Sequence, residues 1–172
     1  GRGLELAAEA IAGELTQPAE PEWLETARGR SPSPPPTAAG TREVTLTGDL
    51  WRDLQLPDGD KPPKESLPLT FVEGFEPWRE SPVLLLGDSH VLVFHAGGDL
   101  HAESAGLPEH LSRELALPVD LIGVRGSGAT PARVNLLRRG DGLAGKRVVV
   151  WVLSVREYTE GQGWQKVPVA PP

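Results

Sequence analysis

The sequence predicts an α/β fold, specifically a three-layer sandwich around a mostly parallel, doubly wound sheet. Three short apolar segments, Val83 to Leu86, Val119 to Val124 and Val148 to Ser154, are separated by segments of helical character. Wholly apolar runs of this length are typical of strands that are buried on both faces of a parallel sheet. The order strand, helix, strand, helix, strand favours right-handed crossover connections, which build such a sheet.

The N-terminal half combines one clear helix with proline-rich connections. Apolar residues recur at helical spacing in the first fifteen positions and predict an amphipathic helix: Leu4, Ala7, Ala8, Ile11 and Leu15. Residues 16–40 and 57–68 are rich in proline and predict two irregular loops. Between them, residues 43–47 alternate as a strand does, and residues 50–54 predict a short helix.

Two further helices complete the predicted crossovers. Pro108 to Leu115 predicts a helix with proline in its first turn. The second predicted helix starts at Pro131 and has Gly140 as its C-terminal cap. Arg138 and Arg139 near its end interact favourably with the negative end of the helix dipole. We interpret all 172 residues as a single domain.

Charge and composition exclude several classes of function. The chain carries 24 acidic and 17 basic residues, a net charge of −7, which argues against nucleic acid or an anionic membrane as a partner. The absence of cysteine excludes disulfides, cysteine-ligated zinc and thiol catalysis. No apolar run approaches the length of a membrane-spanning helix. Methionine is also absent, even at position 1, so we expect a mature product or a fragment.

In a doubly wound sheet the working residues lie at the carboxyl ends of the strands. Three segments occupy that position here: residues 87–90, 125–130 and 154–158. In the first, Gly87 permits a sharp turn, Asp88 follows it, and Ser89 is presented at the sheet edge. A serine nucleophile needs a base and backbone N–H groups that hold the oxyanion. Donors of that kind are expected in the loop formed by Gly126, Ser127 and Gly128, but the same tripeptide also caps many helices.

The stretch "LLLGDS" resembles the first motif block of the SGNH hydrolases, whose nucleophile is the serine of that block. More narrowly, residues 81–169 resemble the SGNH-like domain of the alginate O-acetylation proteins, through "KRVVVWVLSVREY" and the opening helix as well. The resemblance implies Ser89 as the catalytic residue, no cofactor and no metal. It further implies an acyl donor and a polysaccharide acceptor as partners, contacts with other polysaccharide-export proteins, and a periplasmic or cell-envelope location.

In that family an Asp-x-His pair precedes the helix that resembles "GRGLELAAEAIAGEL", and no such pair precedes it here. We therefore expect the catalytic base and its aspartate upstream of Gly1, with this chain forming the C-terminal portion of the domain and inactive by itself. The alternative base is His101, in a glycine-flanked loop that can fold back over the serine. A zinc site of His95, Asp99 and His101 is a further alternative.

Several other side chains are candidate substrate contacts. His90, Arg125, Arg156 and Tyr158 lie at the predicted strand ends, where arginines also form structural salt bridges. We expect His95 to pack or to line the cleft, and His110 to face solvent. Tyr158 and Trp164 are candidates for stacking on a sugar or for packing, whereas Trp151 is expected in the core.

Serine-dependent transfer of an acetyl ester to an exported polysaccharide is the function that these observations favour. The alternatives are a carbohydrate-binding or scaffold module without turnover, and a hydrolase of small esters with the same fold. An Asp-x-His pair ahead of Gly1 would separate the first alternative from the enzyme.

Overall fold

The structure, a computed structural model, describes residues 1–47, 63–126, 128–161 and 164–169. The described helices are α1 (Arg2–Thr16), α2 (Glu22–Arg28), α3 (Leu107–Glu114), α4 (Ala129–Arg139) and α5 (Arg156–Thr159). The described strands are β1 (Thr37–Leu46), β2 (Glu65–Glu73), β3 (Val83–Gly87), β4 (Asp120–Gly123) and β5 (Val148–Val152). None of the described helices combines the length and the apolar character that a bilayer crossing requires.

A parallel sheet of three strands, in the order β4-β3-β5, forms the centre of the fold. In its register Leu85 lies between Leu121 of β4 and Val150 of β5. The chain runs from β3 through α3 to β4 on one side, then through α4 to β5 on the other. The predicted α/β class and the parallel sheet are therefore confirmed.

The alternating side chains of β3 enter two different apolar clusters. Val83 and Leu85 pack with residues of α1, α2 and α3, whereas Leu84 and Leu86 pack with residues of α4. Because helices cover both faces of the sheet, every residue of β3 is buried. This explains why the strand is a continuous apolar run rather than an alternating one.

Helix α3 lies beneath α1 and is buried on almost every side, from Leu107 to Ser112. The prediction that His110 faces solvent is wrong, since its side chain is fully buried. Both ring nitrogens of His110 lack a hydrogen-bond partner within the described residues. Polar residues are so frequent in this helix that its sequence does not indicate that α1 packs over it.

The two predicted proline-rich loops contain more regular structure than expected. Residues 16–40 include helix α2 and the beginning of β1, and residues 65–68 of the second loop belong to β2. Strands β1 and β2 form an antiparallel pair in which Pro68 lies opposite Glu43. A two-stranded ribbon has open edges, and an edge position tolerates proline because its missing N–H need not join a ladder.

Most element boundaries differ from the predicted ones by one or two residues, but β1 begins six residues before the predicted strand at residues 43–47. Helix α4 begins at Ala129 rather than at Pro131, and it is capped by Gly140, whose φ of 73° is the left-handed value expected of a glycine cap. Strand β5 stops at Val152 rather than at Ser154. The helix predicted at Leu50 to Leu54 lies outside the described residues.

Candidate active site

Ser89 is the first residue of a short 3-10 turn, Ser89–Leu92, that begins just beyond the end of β3. Asp88 caps this turn, since its Oδ1 accepts a hydrogen bond of 2.9 Å from the amide of His90. Gly87 is needed for a different reason from the predicted sharp turn. A β-carbon there would lie 2.6 Å from the carbonyl oxygen of Val152, so only glycine lets β3 and β5 approach so closely at this edge.

Ser89 is half-buried and faces a depression of about 400 Å³ at the carboxyl edge of the parallel sheet. The described lining residues come from all three segments that position alone had selected: Asp88, Ser89, His90, Gly126, Gly128, Ser154, Arg156 and Glu157. Ser127, the remaining residue of the predicted glycine loop, lies outside the described residues. Because all three predicted segments contribute to its lining, this depression is the candidate active site.

Asp88 joins the two strand ends that form the floor of this site. Its Oδ2 accepts a hydrogen bond of 3.1 Å from the amide of Ser154, and its Oδ1 lies 2.9 Å from Nδ1 of His90. Burial alone would raise the pKa of Asp88, but the hydrogen bonds from His90 and Ser154 outweigh it and hold the pKa below its usual value. Asp88 is therefore an ionised positioning residue beneath the serine.

The glycine loop meets the site through backbone that only glycine adopts readily. Gly126 and Gly128 have φ values of 70° and 46°. The carboxylate of Glu157 lies against Gly128, where a β-carbon would collide with it, and accepts a hydrogen bond of 2.9 Å from the amide of Ala129. Glu157 thus holds this loop and the first turn of α4 beside the serine.

The remaining candidate substrate contacts differ in position. Arg156 lines the depression, and its guanidinium has no hydrogen-bond or ion-pair partner in the described parts of the chain. Arg125 lies outside that lining and pairs with Asp99 at 2.5 Å, on exposed surface. Tyr158 is 70% exposed and contacts the ring of Trp164, with 5.5 Å between ring centroids.

Trp151 and Trp164 form an aromatic group beside α4. Their ring centroids lie 5.1 Å apart, and the guanidinium of Arg133 lies 5.4 Å from the Trp151 ring. Trp151 is half-buried and packs against the apolar cluster on the α4 face of the sheet, as expected of a core residue.

The histidines have separate environments. Nδ1 of His95 lies 2.5 Å from Oε1 of Glu109, and the His95 ring packs edge-on against Phe75, as the packing interpretation predicts. His101 packs against Phe94 and is not among the described residues that line the depression. The described residues contain no group of side chains that could hold a metal ion, so the zinc alternative gains no support.

Two site residues were missed by the sequence analysis, although the segment that contains them was selected. Ser154 contributes a backbone amide and Glu157 a carboxylate. A glutamate in a polar tail carries no local signal of such a role, because its partner amide is 28 residues away. Only the strand-end position pointed to this segment.

Comparisons with known proteins locate this fold among solved structures. No family model matches the sequence, and no curated protein matches it. The O-acetyltransferase domain of Pseudomonas putida AlgJ matches with a TM-score of 0.60 and 20% identity, over 95% of this chain and 52% of that one. AlgX of Pseudomonas aeruginosa matches with a TM-score of 0.54 and 13% identity, over 87% of this chain and 32% of that one.

The resemblance predicted from the motifs is thus confirmed at the level of the fold. At these identities the shared property is the fold, whereas activity depends on the residues of the site. The chain spans about half the length of the AlgJ domain and about a third of the length of AlgX.

Proposed function

We propose that this chain is part of a serine-dependent acetyl transferase that modifies an exported polysaccharide, with Ser89 as its nucleophile. In this proposal the chain forms one domain, the C-terminal portion of an SGNH hydrolase-like three-layer sandwich. The AlgJ domain that shares its fold is described as an O-acetyltransferase. The cell envelope, the acyl donor, the polysaccharide acceptor and any export partners belong to the same proposal.

The observation that carries the proposal is the convergence on Ser89. The serine follows a buried strand and faces a depression whose wall contains Gly126 and Gly128. Glycine loops with positive φ can aim successive backbone N–H groups into one concavity, which is what a developing oxyanion requires. The amide of Ser89 itself and that loop are the proposed donors.

The reaction would proceed in two balanced steps. In the first, Oγ of Ser89 attacks the acetyl carbonyl, its proton passes to a base, and the donor's alcohol leaves with that proton. In the second, a sugar hydroxyl attacks the acetyl-serine ester, its proton passes through the same base, and Ser89 regains its hydroxyl. Arg156, with no described partner for its guanidinium, is the proposed contact for the acceptor sugar.

The base is proposed to belong to an Asp-x-His pair upstream of Gly1 in a longer protein. Of the histidines in this chain, His90 has its Nδ1 next to Asp88, and His95 has its Nδ1 next to Glu109. His110 is fully buried, and His101 packs on Phe94. None of the four forms a described hydrogen bond to the hydroxyl of Ser89.

The test is to trap the acetyl-enzyme. A chain extended upstream through the Asp-x-His pair is mixed with p-nitrophenyl acetate, and the acetylated peptide is located by mass spectrometry. We expect the acetyl group on the peptide that contains Ser89, and Ser89→Ala should abolish both the adduct and turnover. Ser66→Ala, at an exposed serine of β2, is the matched control and should behave as wild type. An adduct elsewhere, with turnover retained in Ser89→Ala, would overturn the proposal.

The absence of a described base beside Ser89 favours one second candidate, a scaffold module that holds polysaccharide without turnover. The same extended chain separates the two, since a scaffold would bind the polymer and form no adduct. A small-ester hydrolase is the remaining rival. It would form the adduct but release acetate to water even when a saccharide acceptor is supplied.

A further inference from the structure

A second and larger cleft lies at the opposite edge of the parallel sheet from Ser89. Its volume is about 640 Å³. We call it the amino-edge cleft, because one wall is the chain that enters β3 and β5 and the other is α2 with the residues after it. Eight described residues line it: Glu22, Trp23, Thr26, Arg30, Pro82, Gly145, Lys146 and Arg147.

Two exposed arginines face the amino-edge cleft. The side chains of Arg30 and Arg147 line it from opposite walls, and both residues are exposed. Neither guanidinium has a hydrogen-bond or ion-pair partner among the residues that the structure describes. In a protein of net charge −7, two neighbouring arginines without a described carboxylate partner form a local concentration of positive charge.

Lys146, by contrast, is already satisfied. Its Nζ lies 2.7 Å from Asp120 and donates to the carbonyl oxygen of Ser81 at 2.8 Å, within a buried network. Its role is to fix the wall from which Arg147 projects. Among the described residues of the lining Glu22 is the only acidic one, so this part of the cleft keeps an excess of positive charge from its arginines.

The cleft also offers an aromatic face and a hydroxyl. Trp23 packs partly against the apolar cluster beneath α2 and is otherwise open to the cleft. Thr26 lies one turn further along the same helix and donates its hydroxyl hydrogen to the carbonyl oxygen of Glu22. An indole face suits the apolar face of a sugar ring, and a guanidinium fork matches a carboxylate in two parallel hydrogen bonds.

We propose that the amino-edge cleft is a binding site for an anionic saccharide, with Trp23 stacking on a sugar ring and Arg30 and Arg147 pairing with its carboxylates. Nucleic acid fits less well, because the −7 net charge repels a densely charged phosphate backbone. A saccharide carries fewer charges and presents a ring face that can stack on Trp23.

This site is separate from the candidate active site and goes beyond the proposed function. The two lie at opposite ends of strand β3, because Pro82 lines one and Asp88 the other, about 20 Å apart along the chain at the usual rise per residue of a strand. A saccharide held at the amino edge leaves the serine open. The inference therefore stands or falls independently of whether Ser89 turns over an ester.

Calorimetric titration of the 172-residue chain tests the inference, with a uronic-acid hexasaccharide and a neutral glucose hexasaccharide as probes. We expect the uronate to bind and the neutral sugar to bind at least about tenfold more weakly. Arg30→Gln with Arg147→Gln should weaken uronate binding at least about tenfold, because charge-assisted paired hydrogen bonds are lost. Trp23→Leu should weaken both probes, because stacking does not depend on charge.

A charge-matched control makes the result decisive. Arg42→Gln with Arg138→Gln removes the same charge from exposed residues outside the cleft and should leave binding unchanged. Equal weakening in the Arg42 and Arg138 variant would mean general charge attraction and would overturn the site, as would failure of the uronate to bind at millimolar concentration. Circular dichroism confirms that each variant is folded.

Discussion

The carboxylate of Asp88 accepts a hydrogen bond of 3.1 Å from the amide of Ser154, and so links the turn after β3 to the end of β5. The other oxygen of the same carboxylate accepts the amide of His90 at 2.9 Å. A buried carboxylate that accepts two amide hydrogen bonds avoids the desolvation penalty of an unpaired one. This link therefore fixes the position of Ser89 between the ends of the two strands.

The first prediction concerns Asp88→Asn. The pKa of Asp88 is below its usual value of 3.8 in the folded protein, so its ionised form contributes stability above that value, and this is lost as pH falls through the folded pKa. We expect Asp88→Asn to lower the free energy of unfolding at pH 7 and to flatten its decline as the pH falls below 3.8. Urea denaturation at several pH values measures both effects.

Glu76→Gln, at an exposed glutamate with no described partner, is the matched control and should preserve the wild-type curve. An Asp88→Asn protein as stable as wild type at pH 7, with the same acid decline, would show that the carboxylate does not support the turn.

The second prediction concerns His110, whose two ring nitrogens are buried without a described partner. Burial lowers the pKa of His110 below 6.5, Arg113 and the N-terminal ammonium lower it further, and Glu5 and Glu109 oppose them. Above pH 6.5 His110 is neutral and its burial carries no charge penalty. The free energy of unfolding then declines as the pH falls from 6.5 through the lower pKa of the folded state. We expect His110→Leu to raise the melting temperature and to reduce this decline.

Thermal melts of both proteins between pH 8 and 5 provide the measurement. The physical reason is that leucine removes two unsatisfied polar atoms from an apolar site of similar size. If His110→Leu melts lower than wild type at every pH, the histidine has a partner that stabilises it, and its burial is not a cost.

Local sequence patterns were sufficient for the parallel sheet but not for the rest of the fold. The apolar run that begins at Val83 predicts a strand, and the proline at position 108 predicts the first turn of a helix. Both elements form within one residue of their predicted bounds. Helix α2 has only seven residues between prolines and polar residues, so its pattern is too short to detect. The burial of His110 depends on α1, about a hundred residues earlier, and no local pattern records such a contact.

The location of the candidate active site could be predicted from the sequence, but the roles of its residues could be predicted only in part. Parallel strands bring their carboxyl ends together, so the three segments beside Ser89 could be selected from the order of the elements. The contribution of Glu157 depends on the side-chain geometry of two distant segments, and the sequence carries no sign of it. The ion pair of Arg125 with Asp99 is a similar case, since this predicted substrate contact pairs with a residue of another loop.

The third prediction compares the two glycines of the loop beside Ser89. Gly126→Ala should cost about 1–2 kcal/mol of stability, because φ of 70° is strained for alanine although its surroundings are open. Gly128→Ala should cost more, because its new β-carbon would also displace the carboxylate of Glu157. Chemical denaturation of both variants measures the difference.

A double-mutant cycle identifies the cause. With Glu157→Ala in the background the collision is absent, so Gly128→Ala should cost less there than in wild type, whereas Gly126→Ala should cost the same in both. Equal costs for Gly128→Ala in the two backgrounds would mean that Glu157 does not occupy the space beside that glycine.

The last prediction locates the base. In a chain extended upstream through Asp-x-His, Ala substitution of His90, His95 or His101, and Leu substitution of His110, should each leave more than about a tenth of the activity on p-nitrophenyl acetate. Loss of a true general base typically costs about 10²–10⁴-fold, so the two outcomes are well separated. The 172-residue chain itself should be folded yet inactive, since serine without a base has the reactivity of an ordinary alcohol.

His90 is the informative case, because Asp88 lies against its Nδ1 and its side chain is 58% exposed beside the serine. That arrangement would orient a base if the ring could reach the hydroxyl, but adjacent residues in a tight turn rarely bring their side chains into such contact. A thousandfold loss in a folded His90→Ala protein would therefore move the base into this chain, and so would activity of the 172-residue chain equal to that of the extended one. A folded extended chain without turnover, and with polysaccharide binding intact, would instead favour the scaffold.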